Sequence, residues 1–266
     1  MTTDQATQTL NPRVAEVFLD VVGSVADVIR RRRVTFEEFR EAIGFLEEAT
    51  KAGELPLLID VFLGVAVDDA NYTANGGTES NLEGPFYIPS APILQPPYAL
   101  PRRDDEPGDP LVMSGTVRGL DGNPLPGAML DVWQANGAGE YSHFHPGVPE
   151  FNLRGRFTTD SEGRFEVRTV MPSAYAIPGS GPTGRLLAAL GRHFFRPSHV
   201  HFKLSHTGYQ PLTTQIYFEG DDYLHSDVVG AVKDALVVRA QKAGAGSNGG
   251  QALYACSYNF VLQPQA

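Results

Sequence analysis

The chain has 266 residues, 42% hydrophobic and 20% charged. That balance excludes a disordered chain, which would lack the apolar surface to offset the entropy of ordering. A formal charge of −10, from 21 Lys and Arg against 31 Asp and Glu, repels polyanions and argues against nucleic acid as a partner. No apolar run approaches the roughly 20 residues of a membrane-spanning helix. The opening MTTDQATQTLNP is polar and lacks the basic-then-apolar pattern of a secretory signal. A lone Cys256 cannot form an internal disulfide, so a reducing, cytoplasmic setting is expected.

The first third reads as helix. Asn11-Pro12 supplies an N-cap and a proline at the first helical position. Val14, Val17, Phe18, Val21, Val22, Val25, Val28 and Ile29 then recur on one helical face, and Arg30 to Arg33 meet the negative end of the helix dipole. Thr35-x-x-Glu38 is a capping box opening a second helix with Phe36, Phe39, Ile43 and Leu46 on its apolar side. Pro56 opens a third, carrying Leu57, Leu58, Val61, Phe62 and Val65. Such short amphipathic helices bury little alone, so a partner subunit or the rest of the chain must cover them.

From residue 84 the texture changes. Residues 84–110 are proline-rich and aperiodic and read as a connector. Strand-like runs follow near 112–118, 128–134, 165–170, 199–205, 212–218 and 253–262, bounded by turn clusters such as DGNP and DSEG. A glycine-rich stretch at 244–250 is expected as a loop before the last strand. The expected fold is α+β, mainly β: a helical region over 1–83, a connector over 84–110 and an antiparallel β-sandwich over 111–266.

The chemistry lies in the second half. His199 and His201 alternate within RPSHVHFKL, so on a strand both imidazoles share one face, an arrangement suited to metal ligation. Cupins also use such a pair, but they require a nearby glutamate, and the next one here is Glu219. His143, His145, His193, His206 and His225 sit in turns or at a strand end and are weaker candidates. Among ten tyrosines, Tyr141 and Tyr175 stand in turn-rich contexts where packing explains them less well. A phenol ionises near pH 10, so it ligates only against a strongly Lewis-acidic ion such as ferric iron.

With these motifs in view, the chain resembles the intradiol ring-cleavage dioxygenases, specifically the catechol and chlorocatechol 1,2-dioxygenase type. The likeness is carried by the helical N-terminal block, GPFY (84–87), DEPGDPL (105–111), LDVWQANGAGEY (130–141) and NLRGRFTTD (152–160). It continues through GPTGRLLAALGRHFFRPSHVHFK (181–203) and GYQPLTTQIYFEGDDYLHSD (208–227). The resemblance implies one non-haem Fe(III) per subunit held by Tyr141, Tyr175, His199 and His201. Arg196 and Gln215 would stand beside the substrate, and Tyr175 would be the ligand that leaves when substrate binds while Tyr141 stays. It further implies cleavage of catechol or a substituted catechol with O2, between the hydroxylated carbons, to a cis,cis-muconate. A homodimer through the N-terminal helices, with a phospholipid-like molecule between them, is also implied.

The third helix and the GPFY segment should form the apolar pocket, making Leu57, Asp60, Val61, Leu82 and Phe86 candidates for contacts with ring substituents. Hydroxyquinol is the alternative substrate. SGTVRGLDGNPLPGAMLDVW (114–133) also resembles transthyretin-like binding modules, the non-catalytic alternative.

Overall fold

The computed structural model describes residues 11–72, 75–245 and 252–265. The chain divides into two compact units, Met1–Lys51 and Ala52–Ala266.

In the first unit, helix α1 spans Pro12–Arg32 and α2 spans Phe36–Lys51. Both starts follow their local chemistry. The Asn11 side chain accepts a hydrogen bond from the Arg13 amide at 3.0 Å. Thr35 and Glu38 cap each other, with the Thr35 amide donating to the Glu38 carboxylate at 2.7 Å and the Glu38 amide to Thr35 Oγ1 at 3.2 Å. No α1 residue is buried, and Phe18, Val21, Val25 and Phe36 are all exposed.

The second unit opens with α3 (Leu55–Asn71). This helix falls within the region over 1–83 that the sequence reading set apart from the sandwich. It packs within the second unit: Leu58 and Val61 are buried, and the preceding Glu54 accepts a hydrogen bond from the Thr183 amide at 2.9 Å.

The strands are β1 (Pro110–Gly119), β2 (Met129–Gln134), β3 (Arg154–Thr158), β4 (Arg164–Val170), β5 (Tyr175–Ala176) and β6 (Phe195–Arg196). Beyond them come β7 (His199–Ser205), β8 (Leu212–Phe218), β9 (Val237–Val238), β10 (Gln241–Ala245), β11 (Ala252–Ser257) and β12 (Phe260–Leu262). One sheet is built around β1, antiparallel to β4 and parallel to β11 and β12, with β10 on the outer side of β11. The other runs β3-β2-β7-β8-β9, antiparallel except for β8–β9. Strands β5 and β6 form a separate ribbon.

Leu111, Met113, Val117, Phe165 and Val167 of the first sheet share one core with Leu130, Val132, Val200, Phe202, Leu204 and Ile216 of the second. Alternation along β7 therefore turns Val200, Phe202 and Leu204 to that core and puts His199 and His201 on the opposite face. A second apolar cluster covers that face: Val61, Trp133, Tyr141, Tyr175, Ile177 and Leu187, flanked by Leu57 and Phe86.

Three segments show what the sequence left open, and one expectation, that of a single last strand, needs correcting. The connector over 84–110 is tied down along its length: the Leu94 amide donates to the Arg156 carbonyl at 2.7 Å and the Leu100 amide to the Arg168 carbonyl at 2.9 Å, with Ala91 and Leu100 buried. The single last strand is two, β11 and β12. Between them the Asn259 side chain accepts from the Thr116 amide at 3.1 Å, and Gly115 lets the Tyr258 carbonyl pass where a Cβ would lie 1.7 Å away. A fourth helix, α4 (Pro182–Ala189), forms between β5 and β6, where the sequence reading assigned no element. The glycine-rich 244–250 stretch lies, from residue 246 onward, outside the described residues.

Candidate metal centre and its cavity

Strand pairing assembles the site. In β7, His199 stands opposite Tyr217 and His201 opposite Gln215 of β8, while Trp133 of β2 faces His201 from the other side. Directly paired residues present side chains on the same face, so one row carries Trp133, His201 and Gln215 and the next carries His199 and Tyr217. Both imidazoles are buried, and their Nε2 atoms lie 3.1 Å apart. His199 Nδ1 donates to the Pro197 carbonyl at 2.7 Å, which leaves its Nε2 free to coordinate. Trp133 stacks flat on His201, with ring centroids 4.5 Å apart at 9°. Burial, reinforced by the Arg196 charge, pulls His199 down to about 3. Burial and the neighbouring His199 hold His201 well below the ordinary histidine range. Both are therefore neutral, as ligands must be.

The tyrosines arrive from loops. Tyr141 closes the QANGAGEY turn, which Asn136 organises by accepting from the Ala138 amide at 2.9 Å and the Glu140 amide at 3.0 Å. Gly139, at φ +80°, is required twice over: a Cβ there would strain the turn and come within 2.9 Å of the Tyr175 Cβ. Tyr175 opens β5, where it pairs with Arg196 of β6. The two phenol rings meet edge to face, 5.3 Å apart, and Tyr175 lies 5.6 Å from the His199 ring. Phe86 stacks on Tyr141 at 4.6 Å. Desolvation pushes both phenols up, Tyr141 far above its ordinary value. Among the described residues the buried Tyr141 hydroxyl makes no hydrogen bond of ordinary geometry, although Tyr175 lies close enough to influence it.

Arg196 sits almost wholly buried among acceptors. Its Nε donates to Asp227 Oδ1 at 3.2 Å, and its Nη2 to Asp227 Oδ2 at 3.1 Å, Gln215 Oε1 at 3.0 Å and the Tyr217 hydroxyl at 3.2 Å. Nη1 points into the cluster, 3.5 Å from His199 Nε2. Burial disfavours the guanidinium charge, but Asp227 more than restores it and holds Arg196 well above the usual range. Gln215 Nε2 donates to the Leu82 carbonyl at 2.6 Å, linking Arg196 to the segment after α3.

Beside this cluster lies a cavity of about 430 Å³, within the usual size of small-molecule sites. Leu57, Asp60, Val61, Leu82 and Phe86 all line it, together with Tyr175, Arg196 and Ile177. Burial raises the Asp60 carboxyl. A larger hollow, of about 940 Å³, opens among Arg192, His193, Asp221 and His225. It shares only Asp227 with the arginine network, and none of the paired His or Tyr residues lines it, so the smaller cavity is the candidate site.

Among the described residues no group of three or more His, Cys, Asp or Glu is placed to hold a metal. The two imidazoles are neighboured instead by the phenols of Tyr141 and Tyr175. Two neutral imidazoles with converging Nε2 atoms, a buried phenol and a second phenol beside it fit a hard, highly charged cation such as Fe(III).

Sequence reading missed four residues around the cluster. Tyr217 was legible, two positions after Gln215 on the same strand face. Trp133, Arg154 and Asp227 fall inside the quoted motifs, but nothing local marked them out, because their roles depend on partners elsewhere in the chain.

A β-sandwich with a buried two-tyrosine, two-histidine cluster beside a mainly apolar cavity defines the class. The family model described as "Dioxygenase" matches residues 82–264, and "Catechol dioxygenase N terminus" matches residues 11–79. The chain belongs to the intradiol ring-cleavage dioxygenase family. It is 40% identical to a chlorocatechol 1,2-dioxygenase of Rhodococcus opacus over 95% of this chain and 98% of that protein. It is also 40% identical to a catechol 1,2-dioxygenase 2 of Acinetobacter lwoffii, over 90% of each. The crystal structure of 3-chlorocatechol 1,2-dioxygenase from Rhodococcus opacus 1CP superposes with a TM-score of 0.88 over 96% of this chain and 99% of that one. The non-catalytic binding-module alternative falls with this assignment.

Proposed function

We propose that the protein cleaves catechol or chlorocatechol between the two hydroxylated carbons, using O2 and one ferric ion held by Tyr141, Tyr175, His199 and His201. The observation that carries this reading is that two neutral imidazoles, their Nε2 atoms 3.1 Å apart, and two buried phenols neighbour one another beside a cavity of about 430 Å³. Bound ferric iron would supply the Lewis acidity that stabilises an ionised catechol and the electron acceptor that opens the ring to O2.

The chain's own residues do the rest. Tyr175 reaches the cavity wall and is the phenol able to leave and carry off a substrate proton, whereas Tyr141 is enclosed and stays. Arg196 presents Nη1 to the cluster and stabilises negative charge developing on substrate oxygen, a task suited to a group that never deprotonates. Gln215 fixes the guanidinium from β8. Leu57, Val61, Leu82 and Phe86 exclude water and set which ring substituents fit, with Asp60 at the same wall. This mainly apolar lining favours plain, methylated or chlorinated rings over hydroxyquinol.

The exposed apolar faces of α1 and α2 support a homodimer built on the N-terminal helices, with an acyl-chain lipid as a further occupant, and a cytoplasmic setting agrees with the single cysteine. Purified protein should contain one iron per chain, show a broad visible band from tyrosinate-to-iron charge transfer, and convert catechol to cis,cis-muconate. Protein that stays colourless and inactive after ferric reconstitution would refute the proposal.

A further inference from the structure

One buried charge has no part in the chemistry above. Arg154, the first residue of β3, is 1% exposed and ranks among the largest fully buried side chains. Its Nε donates to Ser142 Oγ at 2.6 Å and its Nη2 to the Ser142 carbonyl at 3.3 Å, while Nη1 has no hydrogen-bond partner among the described residues. No carboxylate forms an ion pair with it among the described residues. The neighbouring Asp131 is instead hydrogen-bonded to the Tyr87 hydroxyl at 3.0 Å. Burying an unpaired cation is costly, and chains ordinarily avoid it.

The group that faces this cation is Tyr141. The Arg154 guanidinium carbon lies over the tyrosine ring, 5.8 Å from its centroid. Ser142, which takes both of the arginine's hydrogen bonds, is the next residue in the chain. Arg154 thus grips the backbone that carries Tyr141 and places a positive charge beside its ring. Two dissatisfied buried atoms, Tyr141 Oη and Arg154 Nη1, belong to this one pair.

We propose that Arg154 is a positioning residue of the metal centre: it is the built-in counter-charge for Tyr141 as an anionic ligand and the anchor of the turn that presents it. The inference rests on the ligand role proposed for Tyr141. It explains why the fold keeps a cation that makes no ion pair with a carboxylate, since Tyr141 as an anionic ligand supplies a counter-charge beyond the more distant Asp131.

The test separates charge from packing. Arg154→Met preserves bulk and removes the charge; Arg154→Lys preserves the charge and loses the planar fork. Three properties are measured: iron affinity by chelator competition, the position of the tyrosinate-to-iron band, and melting of the iron-free protein. Arg154→Met should bind iron at least tenfold more weakly and shift the band to longer wavelength, because the phenolate becomes a better electron donor. Its iron-free form should melt at or above the parent, since an unpaired buried charge has gone. Arg154→Lys should stay within threefold of the parent's iron affinity. Parent-like iron affinity and band in Arg154→Met overturn the proposal. So does an Arg154→Met iron-free form that melts well below the parent, with Arg154→Lys equally poor at binding iron, which would mark a packing role. The parent's iron content is measured first; a parent that binds no iron overturns the ligand reading itself, and this inference with it.

Discussion

Asp227→Asn is the substitution with the most readable consequence. Asp227 accepts two hydrogen bonds from Arg196 and two more from the Val229 and Ala231 amides, at 3.3 and 3.1 Å. The paired side chains are only 5% and 1% exposed. Breaking a buried pair by removing one charge costs about 3–5 kcal/mol, and because asparagine retains one acceptor oxygen the low end, about 3 kcal/mol, applies. For a unit of this size each kcal/mol lowers the melting midpoint by about 2–4 °C, so a fall of about 6–12 °C is expected. Burial would raise the Asp227 carboxyl, but the Arg196 charge and hydrogen bonds hold it below the usual carboxylate range. A depressed acid contributes stability that is present above the unfolded value, near pH 3.9, and lost as pH falls through the folded value. The gap between parent and variant should therefore be flat from pH 8 to 5 and narrow only below about pH 4. The assay is calorimetry on protein of known iron content. A shift under 2 °C at pH 7, or a gap that closes already near neutrality, would refute the reasoning.

Tyr175→Phe should retain iron yet bind catechol poorly, and Tyr141→Phe should strip most of the charge-transfer intensity from the catechol complex; visible titrations with iron quantified decide this, and parent-like turnover by iron-loaded Tyr175→Phe would mean the roles are misassigned. Gly115→Ala drives a methyl into the Tyr258 carbonyl, 1.7 Å from where the Cβ would lie. Such overpacking costs about 3 kcal/mol or more, to be read from denaturant midpoints. Leu82→Ala widens the cavity and should raise the kcat/KM ratio of bulkier substituted catechols to catechol at least threefold in steady-state rates. Phe18→Glu should weaken self-association measured by sedimentation, because Phe18 lies on the exposed apolar face of α1.

Much of the molecule was legible locally. The Asn11-Pro12 start and the Thr35–Glu38 box act over a few residues, so they can be read without knowing the fold. Strand alternation likewise told that His199 and His201 share a face, because a period of two is a property of the extended backbone. The two strands that hold them and Gln215, 199–205 and 212–218, fall where the sequence pattern puts them. What the pattern could not tell was which face of the sheet would be dry, since that depends on α3 and the Leu82–Phe86 segment closing over it.

Tertiary structure alone decided the partners. Arg196 and Asp227 are 31 residues apart, and Arg154 meets the Tyr141–Ser142 turn across 12. Nothing in either local sequence distinguishes a buried arginine from a solvated one, because both fit the same alternation. The connector over 84–110 shows the same limit: proline removes the periodic signal, yet its amides still needed acceptors and found them on Arg156 and Arg168. Short-range chemistry sets where elements begin and which side chains line up. Which charges are buried together is set by the long-range closure of sheet, ribbon and helix, and a single sequence window does not contain it.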